Sequence, residues 1–296
     1  MSLCGSFPFD LLRNESFKCA SQIALNEIVA ESYQIAVVIG CPMYSGDAIY
    51  NSAVVIENGS LLYHQGKKTL SKLEAQYFTP DTGKNVLELK HKRIAICIGN
   101  DVPDSKNISL AINICAHEYR CGAESQELSY QGCGFPVISL SQCGANTEAI
   151  YEGHSFVSSV VGKRILQLPY FDESLVVYET DKAYPSIAEE QPHHIALLHD
   201  ALVLGIRDYF RKNKFTNAVL GLSGGIDSAV VLSLAVEALG SDNVRVLLLP
   251  SEFSSSHSIT DAEALARNLS IEHSIISIKG VYDASLDALA PLFKSL

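Results

Sequence analysis

Apolar and polar positions alternate along the chain in two different rhythms, one strand-rich and one that switches regularly between strand and helix. From Ser16, residues Phe17, Ala20, Ala24 and Ile28 recur on one face of an amphipathic helix. Ile35 to Gly40 is continuously apolar and reads as a short strand, followed by a second from Ala48 to Glu57. Asn58-Gly59 carries the residue types of a type I′ hairpin turn, so Ser60 to His64 should return antiparallel. Val86 to Leu89 and Arg93 to Ile98 form a further strand pair. Ser109 to Cys115, Pro136 to Ser141, His154 to Val160 and Arg164 to Leu168 are more strand candidates, and Gly122 to Tyr130 is a helix candidate. Strands with helices between them point to an α/β sandwich.

Tyr170 to Pro192 holds no sustained periodicity and reads as linker sequence, which sets a first domain at 1–180, a linker at 181–194 and a second domain at 195–296. Beyond it Leu198, Leu202, Ile206 and Phe210 mark a helix over Ile195 to Phe210. Ala218 to Leu222 reads as a buried strand, Asp227 to Leu239 as a helix, and Val244 to Leu249 as the next strand. Thr260 to Leu269 is a helix with Thr260 and Glu263 as a weak capping box, and His273 to Ile278 is a third strand. Such alternation predicts a doubly wound parallel sheet, whose ligand crevice lies off the carboxyl ends of its strands.

The junction between the first of these strands and its helix is where chemistry concentrates. Gly221-Leu222-Ser223-Gly224-Gly225-Ile226-Asp227-Ser228 places a glycine turn at a helix amino terminus. Free backbone amides converge there and the helix dipole favours negative charge, so the junction is an anion site. Gly224 and Gly225 let a phosphate approach the main chain, and Ser223 and Ser228 add hydroxyl donors. Asp227 would repel that phosphate unless a cation lay between them, which implies magnesium with Asp227 as a ligand. A Walker loop would need a Lys here, and a dinucleotide fingerprint would need G-x-G-x-x-G spacing; neither is present.

Composition narrows the partners. With 296 residues, 47% hydrophobic and 19% charged, the chain is globular and long enough for two domains with full cores. A formal net charge of −11 without a dense Lys/Arg stripe argues against a nucleic-acid surface and for small-molecule substrates. No apolar run is long enough for a membrane helix, and the start Met1-Ser2-Leu3-Cys4-Gly5 carries no signal-peptide pattern, so the expectation is cytoplasmic. Eight scattered cysteines without a C-x-x-C pair read as reduced, mostly buried thiols.

The string Ser223-Gly224-Gly225-Ile226-Asp227-Ser228 resembles the pyrophosphate loop of the ATP pyrophosphatases. From about Ala201 onward the chain further resembles NAD synthetase, through Gly205-Ile206-Arg207-Asp208-Tyr209, the loop itself, and Pro250-Ser251-Glu252-Phe253-Ser254-Ser255-Ser256-His257-Ser258. The first half resembles the nitrilase-like glutaminase domain fused to that synthetase, through Gly40-Cys41-Pro42, Tyr50-Asn51-Ser52-Ala53, Glu74-Ala75-Gln76-Tyr77-Phe78 and Gly153-His154-Ser155. The resemblance implies an α/β protein: a nitrilase-like α/β sandwich followed by a doubly wound parallel sheet of the adenine nucleotide alpha hydrolase-like kind.

It implies a ligase, in which ATP adenylates the carboxylate of nicotinic acid adenine dinucleotide, pyrophosphate leaves, and ammonia displaces AMP. ATP would be held by Gly221, Leu222, Ser223, Gly224, Gly225, Ile226, Asp227, Ser228 and Leu249, with Mg2+ on Asp227; Ser254, Ser255 and Ser258 either contact ligand or only cap a helix. The glutaminase triad of such domains is Glu-Lys-Cys, and Lys67 matches its Lys through Leu70, though Lys67 also reads as a solvated residue beside Lys68. Glu74 matches a supporting Glu, while the first Glu would fall before Met1. Alignment without gaps puts Gly99-Asn100-Asp101 where the nucleophile string Cys-Glu-Asp belongs. Cys97, two residues earlier and expected on the same side of its strand, reads as an ordinary buried thiol. Relative to the family both ends are expected to be incomplete. Glutamine or free ammonia is then the nitrogen source, with ammonia favoured, and the resemblance suggests a homo-oligomer. A different ATP pyrophosphatase with another acceptor, or a nucleotide-binding assembly module without turnover, remain as alternatives.

Overall fold

The computed structural model describes residues 1–6, 8–122, 130–146, 148–188 and 192–293. They fall into two compact units, Met1–Leu197 and Leu198–Leu296. The helix candidate Gly122 to Tyr130 lies, over 123–129, outside the described residues.

In the first unit, helix α1 (Glu15–Glu31) starts where Asn14 Oδ1 accepts hydrogen bonds from the amides of Ser16 and Phe17. It covers a three-stranded antiparallel sheet of β1 (Ala36–Ser45), β2 (Ala48–Glu57) and β3 (Ser60–Gly66) in the order β1-β2-β3. Strand β1 continues to Ser45, past the Gly40 limit expected from its apolar run, because it stays paired with β2 as far as Ser45↔Ala48. Asn58 and Gly59 have φ of 49° and 75°, the left-handed pair that a type I′ turn requires. Strand β2 is buried on both faces: Val54 and Ile56 pack with Leu25 of α1, while Ala53 and Val55 turn the other way.

The second sheet has six strands in the order β11-β10-β7-β6-β5-β4: β4 (Val86–Leu89), β5 (Lys92–Ile98), β6 (Leu110–Cys115), β7 (Val137–Ser141), β10 (Phe156–Ser158) and β11 (Arg164–Gln167). Its centre, β5-β6-β7, is parallel. Ile94, Ile96 and Ile98 of β5 meet Ala53 and Val55 of β2 to form the core between the sheets. Ala95 and Cys97 point to the opposite face, with Ala111, Phe135 and Val137. A further antiparallel hairpin, β8 (Cys143–Asn146) with β9 (Ala149–Glu152), was not legible in the sequence, because Cys143-Gly144-Ala145-Asn146 lacks the β-branched and aromatic residues that mark strands.

Parallel strands usually need a helical crossover, yet the β5–β6 connection, 99–109, contains no helix. Side chains hold it instead. Asp101 accepts hydrogen bonds from the amides of Lys68 and Thr69 at 2.8 and 2.9 Å. Asn85, fully buried, donates to the Val102 carbonyl and accepts from the Asp104 amide. Lys68 closes the ring on Asp104.

The second unit stacks three parallel strands in the order β12 (Ala218–Gly221), β13 (Val244–Leu248) and β14 (Glu272–Ile275), one winding of the doubly wound class. Around them run α2 (His194–Asn213), α3 (Ile226–Leu239), α4 (Ser256–Asn268) and α5 (Lys279–Phe293). Leu232, Val244, Val246, Leu248, Ala262 and Ala266 form the core. The expected capping box at Thr260 is corrected: α4 begins earlier, where Ser255 Oγ accepts from the Ser258 amide at 3.1 Å. Thr260, inside the helix, turns its hydroxyl to the Ser256 carbonyl. Among the described residues no helix is long and apolar enough to cross a membrane.

Candidate functional site

Two sites carry chemistry, one in each unit. In the second unit β12 ends at Gly221, the chain turns through Ser223-Gly224, and α3 starts after Gly225 with no side-chain cap. Ser223 Oγ and Ser228 Oγ lie 3.0 Å apart, the Gly225 amide donates to Ser223 Oγ, and Ser228 Oγ donates to the Gly225 carbonyl. These hydroxyl bonds shape the loop without consuming the amides of Gly224, Ile226 and Asp227, which donate to no group among the described residues.

Gly224 has φ of 80°, and a Cβ built on it would lie 2.2 Å from the Ser258 carbonyl oxygen. The loop therefore abuts the first turn of α4, and only glycine fits there. Beside it a cleft of about 310 Å3 opens off the carboxyl ends of β12 and β13, lined by Leu222, Ser223, Leu249, Pro250, Ser254 and Ser258 among others. Gly221 also lines it, whereas Ile226, 76% exposed, offers only its backbone. Asp227 sits in the first turn of α3 with its side chain exposed. Were the loop amides to bind a phosphate, the carboxylate beside them would suit magnesium, which takes one or two carboxylates together with phosphate oxygens and water.

In the first unit a cavity of about 450 Å3 surrounds Lys67, Glu74 and Gly99. Lys67 Nζ lies 2.6 Å from Glu74 Oε1, and the Ser71 amide donates to Glu74 Oε2 at 2.8 Å. The Lys67 side chain is 16% exposed, so it is a half-buried partner of the buried Glu74 and not a solvated lysine. Burial alone would raise the Glu74 pKa, but hydrogen bonds from Lys67 and Ser71 outweigh it and hold the carboxyl below its ordinary range. His117 also lines the cavity, and burial, reinforced by Lys67, pushes its pKa down. His117 Nε2 and Asn51 Oδ1 are buried without a hydrogen-bond partner among the described residues.

Because the Glu74 pKa is depressed on folding, its ion pair stabilises the native state above the unfolded carboxyl's pKa, and that stability is lost as pH falls through the folded value. Glu74→Gln is expected to cost about 2 kcal/mol at pH 7 and to flatten the acid limb of the stability curve. Urea unfolding between pH 7 and pH 3 checks this; a variant with the wild-type acid slope would refute it.

Gly99 stands at φ of 60°, and a Cβ there would come within 3.3 Å of both Cε and Nζ of Lys67. The position facing the lysine therefore carries no thiol. Cys97 does not share that side, contrary to the expectation from strand alternation: the left-handed residue at 99 re-aims the chain, and Cys97 lies in the outer core with Phe135 and Val137. Burial, with Asp101 and Asp104 adding to it, pushes the Cys97 thiol up to about 12. Cys115 borders the cavity but directs its thiol to the Leu140 carbonyl at 3.2 Å. Asn51 lies within Tyr50-Asn51-Ser52-Ala53 and His117 stands alone in the sequence; neither gives a local signal of its place at the cavity.

A family model described as NAD synthase matches residues 198–294, and one described as Carbon-nitrogen hydrolase matches 24–186. The chain is 32% identical to a glutamine-dependent NAD(+) synthetase of Synechocystis sp., over 99% of this chain and 60% of that protein. It is 30% identical to the enzyme of the same name from Aquifex aeolicus, over 96% and 60%. A solved glutamine-dependent NAD+ synthetase from Acinetobacter baumannii, in complex with ADP, superposes with a TM-score of 0.84 at 25% identity, over 98% of this chain and 59% of that one. The chain thus spans about 60% of the length of the relatives it matches.

Proposed function

We propose, for a chain that belongs to the family of glutamine-dependent NAD(+) synthetases, that its second unit uses ATP to amidate nicotinic acid adenine dinucleotide, with free ammonia as nitrogen source. The observation that carries the nitrogen assignment is Gly99: the position facing Lys67 has no nucleophile, and the nearby Cys97 thiol is buried on the other face of the sheet. A thiolate is the attacking species in amide hydrolysis by cysteine, and a thiol with a pKa of about 12 supplies almost none.

A carboxylate is a poor electrophile, so the substrate carboxylate first attacks the α-phosphorus of ATP and pyrophosphate departs. Ammonia then adds to the acyl carbon, and the carbon–oxygen bond to AMP breaks to leave the amide. In this reading the amides of Gly224, Ile226 and Asp227 bind the departing pyrophosphate, and Ser223 and Ser228 exchange their mutual hydrogen bond for phosphate oxygens. Leu222 and Leu249 flank the nucleotide in the cleft off the strand ends. Asp227 would hold magnesium, which supplies charge neutralisation at the phosphates.

NAD formation by the purified chain, with ammonium chloride or glutamine as sole nitrogen source, tests the proposal. The expected result is turnover with ammonium, at least about a hundredfold less with glutamine, and no change in either on Cys97→Ala. Glutamine use within tenfold of ammonium, or its loss on Cys97→Ala, would overturn the nitrogen assignment. Neither NAD formation nor pyrophosphate release with this acceptor under either nitrogen source would point to another acceptor.

A further inference from the structure

We propose that the outer face of the six-stranded sheet in the first unit carries a binding site for a compact, uncharged aromatic molecule, in an apolar cavity floored by Cys97, Ala111 and Val137. The cavity measures about 190 Å3. An apolar cavity of about 150 Å3 suffices to take up benzene, so this one has room for a ring and a small substituent. It shares no described lining residue with the cavity around Lys67.

Small side chains at the centre of the sheet make the hollow. Strands β5, β6 and β7 pair in parallel, so Ala95, Ala111 and Val137 stand side by side, with Cys97 and Asn113 paired two residues further along. Alanine, valine and cysteine leave open the depth that leucine or phenylalanine would fill. The walls rise from two connections, Val102 and Pro103 from the one after β5 and Tyr130 and Phe135 from the one before β7. Phe135 is buried, and the Tyr130 hydroxyl is fixed by accepting from Asn113 Nδ2 at 2.7 Å. Val102, 67% exposed, and the exposed Gln131 mark the side open to solvent.

The polar atoms around the hollow are engaged within the protein. Asn113 Nδ2 also donates to the Gly99 carbonyl, and its Oδ1 is closed to solvent. Each carboxylate oxygen of Asp101 accepts from an amide, those of Lys68 and Thr69. The Cys133 thiol donates to the Phe135 carbonyl at 3.0 Å, and Cys97 Sγ accepts from Asn85 Nδ2 at 3.6 Å. An ordered water needs roughly two to four polar partners, which such a wall does not offer, so an apolar molecule gains by taking its place. Asp101 brings the single formal charge among the described lining residues. With both its oxygens engaged it repels an anion and has none to spare for a cation, which leaves a neutral ligand. The rings of Tyr130 and Phe135 favour an aromatic one, through face and edge contacts.

The test is NMR titration of the intact, 13C-methyl-labelled chain with toluene, phenol and indole, and with benzoate and benzylammonium as charged analogues of the same ring. At least one neutral ring is expected to bind saturably at about 1 mM or tighter and to move the methyl resonances of Ala111 and Val137, with both ions at least about tenfold weaker. Ala111→Leu, which fills the floor, should weaken binding by about tenfold or more. Cys97→Ala deepens the floor and gives up only the 3.6 Å contact to Asn85, so it stands as the second variant should leucine at 111 disturb the sheet. It should raise the preference for indole over toluene by about threefold or more. No binding by any neutral ring, an ion bound as tightly as the neutral rings, unmoved Ala111 and Val137 methyls, undiminished binding in a folded Ala111→Leu protein, or an unchanged preference in Cys97→Ala would overturn the proposal.

Discussion

Replacing Gly224 with alanine is expected to destabilise the second unit by about 3 kcal/mol and, on the proposed function, to lower ATP-dependent pyrophosphate release on the order of a hundredfold or more. The added Cβ would sit 2.2 Å from the Ser258 carbonyl oxygen and 2.7 Å from its Cα, both backbone atoms of α4 that no rotamer change can clear. A φ of 80° adds a further penalty of about 1–2 kcal/mol for any residue with a Cβ. Relief requires either the loop or the first turn of α4 to move, and both border the cleft. Gly225→Ala is the control, because its Cβ would meet only Ser223 Oγ at 3.4 Å with an ordinary backbone φ of −89°. It should cost less than about 1 kcal/mol. Denaturant unfolding and a coupled pyrophosphate assay on both variants decide the matter; a Gly224→Ala protein as stable as Gly225→Ala would refute it.

Asn85→Ala is expected to destabilise the first unit by about 2–4 kcal/mol, the largest single loss foreseen there. Asn85 is fully buried, and its amide spans two strands' worth of chain: Nδ2 donates to the Val102 carbonyl at 2.8 Å and Oδ1 accepts from the Asp104 amide at 2.9 Å. Truncation would leave the Val102 carbonyl and the Asp104 amide without their partner and open a small void where the Asn85 side chain is buried. Since the 99–109 connection has no helix to hold it, this one side chain stands in for a packed crossover. Thermal unfolding of Asn85→Ala beside the exposed-site variant Lys106→Ala measures the effect. A loss below about 1 kcal/mol would show that Asp101 and Lys68 suffice to pin the loop.

Much of the architecture is readable in the sequence. Strand limits at Ala48–Glu57 and Val86–Leu89 coincide with the structure, because each is bounded by turn residues, Gly46-Asp47 and Asn58-Gly59 for the first and Gly83-Lys84-Asn85 and Lys90-His91 for the second. Where residues were small or polar, as in Cys143–Asn146, the signal vanished and the hairpin was missed. The helix amino terminus at Ser255 was displaced by five residues onto Thr260, since a serine-rich run offers several equivalent caps and only packing against Gly224 selects one. Three of the eight cysteines are buried and two are exposed, fewer buried than expected from composition.

By itself the sequence determined the strand, glycine loop and helix of the second unit, the identity of the donors in that loop, and the glycine at position 99. These are local facts, set by neighbours in the chain and by whether a Cβ is present. The tertiary structure alone decided that Lys67 reaches Glu74, that Cys97 faces away from both, and that Ser258 walls the Gly224 turn. The physical reason is that each of these contacts joins side chains whose separation and facing depend on sheet register and on left-handed residues such as Gly99, which redirect everything after them.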